Sequence, residues 1–379
     1  MTEKIPLWQQ YRDQFPVTKK LVYLNHAAVS PLSRRSAEAM QALAQDALEN
    51  GSNHYMQWMA AYQGLRDATA RMINATPAEI AIVKNTSEGI ATVALGIDWK
   101  PGDIVVAFRE EFPANFYPWK RLEAKGVTLR WLSVFDDLDL IDEAAKGARL
   151  LAISYVQYLS GYRVDLNRIG EICHRRGCFF FVDAIQGMGA FPIDVRASHI
   201  DALAADGHKW LLGPEGCGVL YVRQERQDEI DPVEFGWTNV AKYADYSSRD
   251  MALRHDAGRY ECGTLNTIGC FGLQAACELL LEATIERVGE AIQALGDRIW
   301  QGAQELGFET LGSRSPETGA GIVCIRKPGV ESPYIVSRLK DAGFIAAPRQ
   351  GWVRIAPHFY ISPAEVDSML DQLKVLTNP

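Results

Sequence analysis

No run of about 18 consecutive apolar residues occurs in the chain, so nothing in it reads as a membrane-crossing helix. The opening Met1-Thr2-Glu3-Lys4-Ile5-Pro6 is polar, carries an early acid and lacks the apolar centre of a secretory signal. Clustered positive charge is missing as well. Lys and Arg number 39 against 47 Asp and Glu, a formal charge of −8, which gives no footprint for displacing counterions from nucleic acid. Cysteine is sparse and odd in number: 7 residues, scattered at Cys173, Cys178, Cys217, Cys262, Cys270, Cys277 and Cys324. A chain of this size does not need disulfide staples, so reduced thiols in the cytoplasm are expected. Cys173-His174-Arg175-Arg176-Gly177-Cys178 has no second Cys/His pair at a useful spacing, and no metal is expected there. Neither internal repeats nor low-complexity tracts are visible.

What is present suits a soluble protein with a sizeable core: 379 residues, 47% of them apolar and 23% charged. Short apolar runs predict strands at 80–83, 104–108, 150–154, 179–182 and 218–222. Most are too uniformly apolar for one face to meet water, which suits strands covered on both sides. Helical patterns at 87–96, 115–125 and 166–176 alternate with them and predict a mainly parallel α/β sheet. After about residue 265 the texture changes to a long helical pattern over 266–306, a strand at 320–326, a helix at 333–342 and a short strand near 352–356. A last helix follows Ser362-Pro363-Ala364-Glu365, a Ser cap with Pro at the first helical position. The expected organisation is an N-terminal arm over 1–18, a large α/β domain over 19–265 and a smaller α+β domain over 266–379.

Three segments carry chemistry. Phe179-Phe180-Phe181-Val182 runs straight into Asp183, and ligands gather where strands of an open α/β sheet end. Asp183 could equally be a turn or cap residue. His208-Lys209 lies between apolar segments ahead of a glycine-rich turn. A partly desolvated lysine loses its proton more readily, and the neutral amine is the form that attacks an aldehyde. Asn85-Thr86-Ser87-Glu88-Gly89 offers hydroxyls and free N–H groups at a helix start, suited to a phosphate but also to an ordinary cap.

Taken together, these segments resemble the aminotransferase class V group of fold-type I enzymes dependent on pyridoxal 5′-phosphate (PLP). That group includes cysteine desulfurases, selenocysteine lyases, kynureninases and isopenicillin N epimerase. The resemblance runs from about Tyr23 to the C-terminus. Its anchors are Tyr23-Leu24-Asn25-His26-Ala27-Ala28, Asn85-Thr86-Ser87-Glu88-Gly89, Asp183-Ala184-Ile185-Gln186, His208-Lys209, Glu261-Cys262-Gly263-Thr264-Leu265-Asn266 and Val353-Arg354-Ile355-Ala356-Pro357-His358.

The resemblance implies that Lys209 forms a Schiff base with PLP and shuttles protons through a quinonoid. It implies that Asp183 pairs with the pyridine nitrogen, Gln186 with the phenolic oxygen, and that His208 lies beside the cofactor. Thr86 and Ser87 would hold the phosphate, Phe112 would stack on the ring, and Thr264 would reach the phosphate of a neighbouring subunit, which requires a homodimer. Arg354 would grip the substrate α-carboxylate with Asn25 nearby. Gln157 and Tyr158 would line the pocket, and Glu215, Trp210, Trp237 and Trp352 are candidates for shaping specificity.

Two departures stand out. Asp206 falls where many relatives have a phosphate-binding Ser, and a carboxylate would repel the dianion. The stretch Ala346-Ala347-Pro348-Arg349-Gln350-Gly351-Trp352 also lacks the nucleophilic Cys that desulfurases place ahead of the carboxylate-binding Arg. The expected activity is therefore Cα chemistry on a small α-amino acid, by transamination or elimination. Kynureninase-like hydrolysis and epimerisation are the next alternatives. Desulfurase or selenocysteine-lyase activity ranks behind them, as does a non-catalytic PLP- or amino-acid-binding module.

Overall fold

A computed structural model describes residues 5–377. Seven strands form the main sheet, in the order Ile80–Val83, Gly218–Val222, Ala202–Asp206, Phe179–Asp183, Leu150–Ser154, Ile104–Phe108 and Thr128–Leu132. All neighbouring pairs are parallel except the two made by Gly218–Val222, which runs against both its partners. Ile80–Val83 therefore points the same way as the five parallel strands, and six carboxyl ends share one edge of the sheet.

The uniform apolarity of these strands has a simple cause. Successive side chains point to opposite faces, and each face meets its own core. Ile82, Val106, Ile153, Phe180, Val182 and Leu203 enter one cluster, while Val83, Val105, Ala152, Phe181, Ala204 and Leu220 enter the other. Five expected strands are present, along with the helices Thr86–Gly96 and Leu166–Arg176. The pattern over 115–125 resolves into a short helix, Tyr117–Arg121, between two 3-10 turns.

Two strands escape a reading by apolar runs. Thr128–Leu132 sits at the sheet edge and is only partly buried. Ala202–Asp206 is built from Ala-Leu-Ala-Ala-Asp, which has little β-propensity, and tertiary packing selects it. Its small side chains admit the helix Thr86–Gly96 closely: a Cβ on Gly89 would lie 2.8 Å from the Cβ of Ala204. That close approach brings the start of the helix to the end of this strand.

The expected long helix over 266–306 is two helices, Thr267–Ala283 and Ile285–Glu305, with an 82° bend between them. The break falls at Thr284, whose φ of 64° is left-handed. No Gly or Pro marks it, so the sequence pattern runs straight through. Beyond it lies an antiparallel sheet ordered Ala347–Arg349, Trp352–Ile355, Val323–Arg326 and Glu309–Thr310. The last helix, Pro363–Thr377, starts with a reciprocal cap: Ser362 N donates to Glu365 Oε2 at 2.8 Å and Glu365 N donates to Ser362 Oγ at 3.2 Å.

The chain start is tied to this C-terminal part. Arg12 donates both guanidinium arms to Glu365, at 2.8 and 2.7 Å, and Phe15 stacks on Tyr360 with centroids 3.7 Å apart. Val22–Tyr23 pairs with Phe344–Ile345, and Asn25 bridges to Ala356. This carries Asn25 to within two residues of Arg354 along the paired strand.

Candidate active site

The expected chemistry gathers at the shared edge. Thr86 follows Ile80–Val83, Glu111 and Phe112 follow Ile104–Phe108, Tyr158 follows Leu150–Ser154, Asp183 and Gln186 close Phe179–Asp183, and His208 and Lys209 follow Ala202–Asp206. The chain order turns back between Ile104–Phe108 and Leu150–Ser154, the kind of switch point where open α/β sheets bind ligands.

Asp183 is 2% exposed, and its Oδ1 accepts from Ile185 N at 3.0 Å. Burial pushes its carboxyl up to about 6, against the opposing pull of that hydrogen bond and of Lys209. Burial likewise pushes the Lys209 amine down to about 8; Asp183 opposes this and Arg354 reinforces it. The two groups thus sense each other's charge, and a lysine set this low supplies neutral amine near physiological pH. Lys209 Nζ lies 5.8 Å from the Phe112 ring centroid. Phe112 itself is 45% exposed and meets Tyr158 edge-on at 5.3 Å, so its outer face is open to a ligand.

Gln186 is anchored at both ends of its amide: Trp210 Nε1 donates to its Oε1 at 2.8 Å, and its Nε2 donates to Ala27 O at 3.0 Å. One amide hydrogen is left over. Trp210 is therefore a buried strut rather than a specificity residue, and its backbone carbonyl is held by His358 Nε2 at 3.1 Å. Gln157 is also structural. Its Oε1 accepts from Leu159 N, Ser160 N and Ser160 Oγ, which closes the loop that presents Tyr158.

At the helix start, Asn85 caps Glu88 N at 2.9 Å, and Thr86 Oγ1 accepts from Asp206 N at 3.0 Å. The Thr86 hydroxyl keeps its own proton to donate, and Ser87 is exposed. Asp206 Oδ2 stands 3.0 Å from His208 Nδ1, close but not aligned as a hydrogen bond. Thr264 is not drawn into this cluster. It is exposed and lines a separate recess of about 120 Å³ with Lys84, Glu88, Glu234 and Cys262. Trp237 is also outside the cluster, exposed and edge-on to Tyr246 at 5.9 Å, and Trp352 lies under Arg326 at 4.5 Å.

Arg354 is 3% exposed; its Nη1 donates to Tyr158 O at 3.0 Å while Nε has no partner. Burial, then the charge of Arg349, pushes it down to about 10. Its cross-strand neighbour Cys324 is buried, and burial pushes that thiol up to about 12.

Reading the sequence for motifs missed Glu111. Ser154 N donates to Glu111 Oε1 at 2.6 Å and Ser154 Oγ donates to Oε2, tying the ends of two strands together at the switch point. Its surface is only partly buried, yet the carboxyl lies deep. Burial, reinforced by Asp183, pushes it up to about 8. An acid just past an apolar strand was the available signal.

A polar group with an acidic, an amine-reactive and an anionic end fits these residues. Among the buried polar atoms without partners are Asn25 Oδ1, Asp206 Oδ1, His208 Nδ1 and Arg354 Nε, all on segments that meet at this edge. Buried orphans in one place are what a polar ligand would satisfy. The Asp206 carboxylate does not suit a phosphate contact, but it is directed at His208.

The fold and the cluster define an α/β enzyme with a depressed lysine at a strand end. The aminotransferase class-V family model matches residues 22–351, and the chain belongs to that family, a PLP-dependent enzyme of fold-type I. A protein of Pyrococcus abyssi (strain GE5 / Orsay) named "Probable cysteine desulfurase" is 31% identical, with 97% of each chain covered. The apo cysteine desulfurase from Thermococcus onnurineus NA1 superposes with a TM-score of 0.91 at 27% identity, covering 99% of both chains. The cystine C–S lyase C-DES, seen with its product cysteine persulfide, gives 0.87 at 25% identity over 95% of this chain and 99% of its own.

Proposed function

We propose that the chain is a PLP-dependent lyase that eliminates the β substituent of a small α-amino acid, without handing sulfur to a protein thiol. The observation that carries this is the hairpin ahead of Arg354. Ala347–Arg349 and Trp352–Ile355 are joined by Gln350 and Gly351 alone, both at positive φ, 49° and 82°. A two-residue turn of this kind is rigid and has no room for a mobile nucleophile loop. The thiol paired across the strands with Arg354, Cys324, is buried, and burial pushes it up to about 12, so it keeps its proton. The likeness to C-DES, a C–S lyase, supports the same choice.

PLP, when bound, supplies an electron sink for charge that develops at the substrate Cα. In this reading Asp183, whose carboxyl at about 6 is mainly ionised at neutral pH, pairs as a carboxylate with the pyridine nitrogen and keeps a proton there. Gln186 offers its spare amide hydrogen to the phenolic oxygen. Thr86, Ser87 and the helix N-terminus receive the phosphate, and His208 stands beside it. Phe112 covers one ring face. Arg354 takes the α-carboxylate through Nε and its free arm, a planar fork matched to two parallel hydrogen bonds, with Asn25 alongside. Lys209 then removes the Cα proton. Thr264 serves the partner's site in a homodimer, and the enzyme works in the cytoplasm.

The test is product analysis on PLP-loaded protein supplied with S-substituted cysteines, β-chloroalanine and, with a thiol reductant present, cysteine itself. Elimination releases the leaving group, pyruvate and ammonia in equal amounts. Sulfide formed together with alanine would instead mark a desulfurase and overturn the reading, and a 2-oxo acid formed without loss of the β substituent would mark a transaminase.

A further inference from the structure

Arg349 is exposed and has no acidic partner among the described residues, and its charge is felt by two other cations. Strand register accounts for this. Ala347 pairs with Arg354 and Arg349 with Trp352, so alternation puts the side chains of 347, 349, 352 and 354 on one face. Arg349 and Arg354 are diagonal neighbours, about 7–8 Å apart at the backbone and within reach of one ligand for long side chains. Both Lys209 and Arg354 feel the charge of Arg349. The turn that presents it is held down at its first residue, where Gln350 Nε2 donates to Tyr158 Oη at 2.8 Å. Tyr158 in turn supplies the carbonyl for Arg354 and the edge contact to Phe112.

Lys209 already has Asp183 and Asp206 to offset it, but Arg349 and Arg354 share a face with no acid paired to either among the described residues, and together they can take more negative charge than one α-carboxylate carries. Arg354 alone can satisfy that carboxylate, because its Nε and one arm are uncommitted. We propose that Arg349 is a specificity-determining residue that binds a second oxyanion, a carboxylate or sulfinate, at the far end of the substrate side chain. The substrate class is then an amino acid with an acidic side chain or an acidic leaving group. This rests on the reading of the chain as a PLP enzyme acting on α-amino acids.

The experiment uses PLP-loaded protein and two isosteric pairs, aspartate with asparagine and glutamate with glutamine, with cysteine sulfinate as a further probe. Binding is followed by the change in cofactor absorbance, and KM and kcat are measured where turnover occurs. Wild type should bind the acidic member of at least one pair about tenfold or more tightly than its amide, the scale of a charge-assisted contact. Arg349→Gln should abolish that preference while leaving the amide's affinity within about twofold, with the loss falling on KM. Arg349→Lys should restore part of it. Equal weakening of both members would mean that Arg349 shares the α-carboxylate, and an unchanged preference would mean that it touches nothing; either overturns the proposal alone. An absorbance that responds to no amino acid, with PLP attached, would bring down the underlying reading and the proposal with it.

Discussion

Replacing Glu111 by Gln should stabilise the cofactor-free protein at neutral pH and flatten part of its pH dependence. The Glu111 carboxyl rises from an ordinary 4.5 to about 8 in the folded chain, chiefly through burial. A carboxyl raised by folding binds its proton more tightly in the native than in the unfolded state. Its contribution to stability is therefore undiminished below about pH 4.5 and declines as pH climbs towards 8. By pH 7 the interval is about 2.5 units at 1.36 kcal/mol each, roughly 3 kcal/mol, and about 2 kcal/mol once solvent reaching the open cleft is allowed for. Gln carries no such proton. It can accept from Ser154 N and donate to Ser154 Oγ, which keeps both anchors of the strand ends. Urea denaturation at fixed protomer concentration, at pH 5 and pH 7, gives the comparison. The variant should gain about 2–3 kcal/mol over wild type at pH 7 and much less at pH 5. An equal effect at both pH values, or destabilisation at pH 7, would refute the assignment of a strained, protonated Glu111.

Lys209→Ala should still bind PLP weakly but lose attachment that borohydride can trap, as read by mass spectrometry of the reduced protein. The rate at which apoprotein captures PLP covalently should rise with pH about a midpoint near 8, because burial holds the free amine there; a midpoint above 10 would contradict the buried, Asp183-coupled lysine. Arg354→Gln should raise KM for every amino-acid substrate by about 10–100-fold, the size of a lost bidentate contact, with little change in cofactor absorbance. Thr86→Val removes the acceptor for Asp206 N in a buried site. It should lower stability by about 1–3 kcal/mol and weaken PLP retention on dialysis.

The strands of the main sheet were legible because both faces are buried and the apolar runs are continuous. Ala202–Asp206 was not, since its residues are small for a reason that lies elsewhere, namely the helix beginning at Thr86. The bend at Thr284 was hidden because the apolar pattern continues through it. Asp183 could be picked out because it closes a recognisable apolar run, whereas Gln186, His208 and Lys209 were assigned by the family resemblance of their motifs. Trp210 and Gln157 sit in the same runs but are committed to holding their neighbours, and proximity in sequence could not tell holders from ligands.

The order of residues alone determined the α/β class, because strands covered on both faces leave continuous apolar runs, and its motifs resembled a family whose members imply the cofactor and the role of Lys209. Only the tertiary structure decided which charges meet. Glu111 becomes a protonated acid because two strands distant in sequence bury it against Asp183, and Arg349 joins Lys209 and Arg354 because a two-residue turn folds it back onto one face of a hairpin. Electrostatics depends on distance through space and on exclusion of water, and neither is written along the chain.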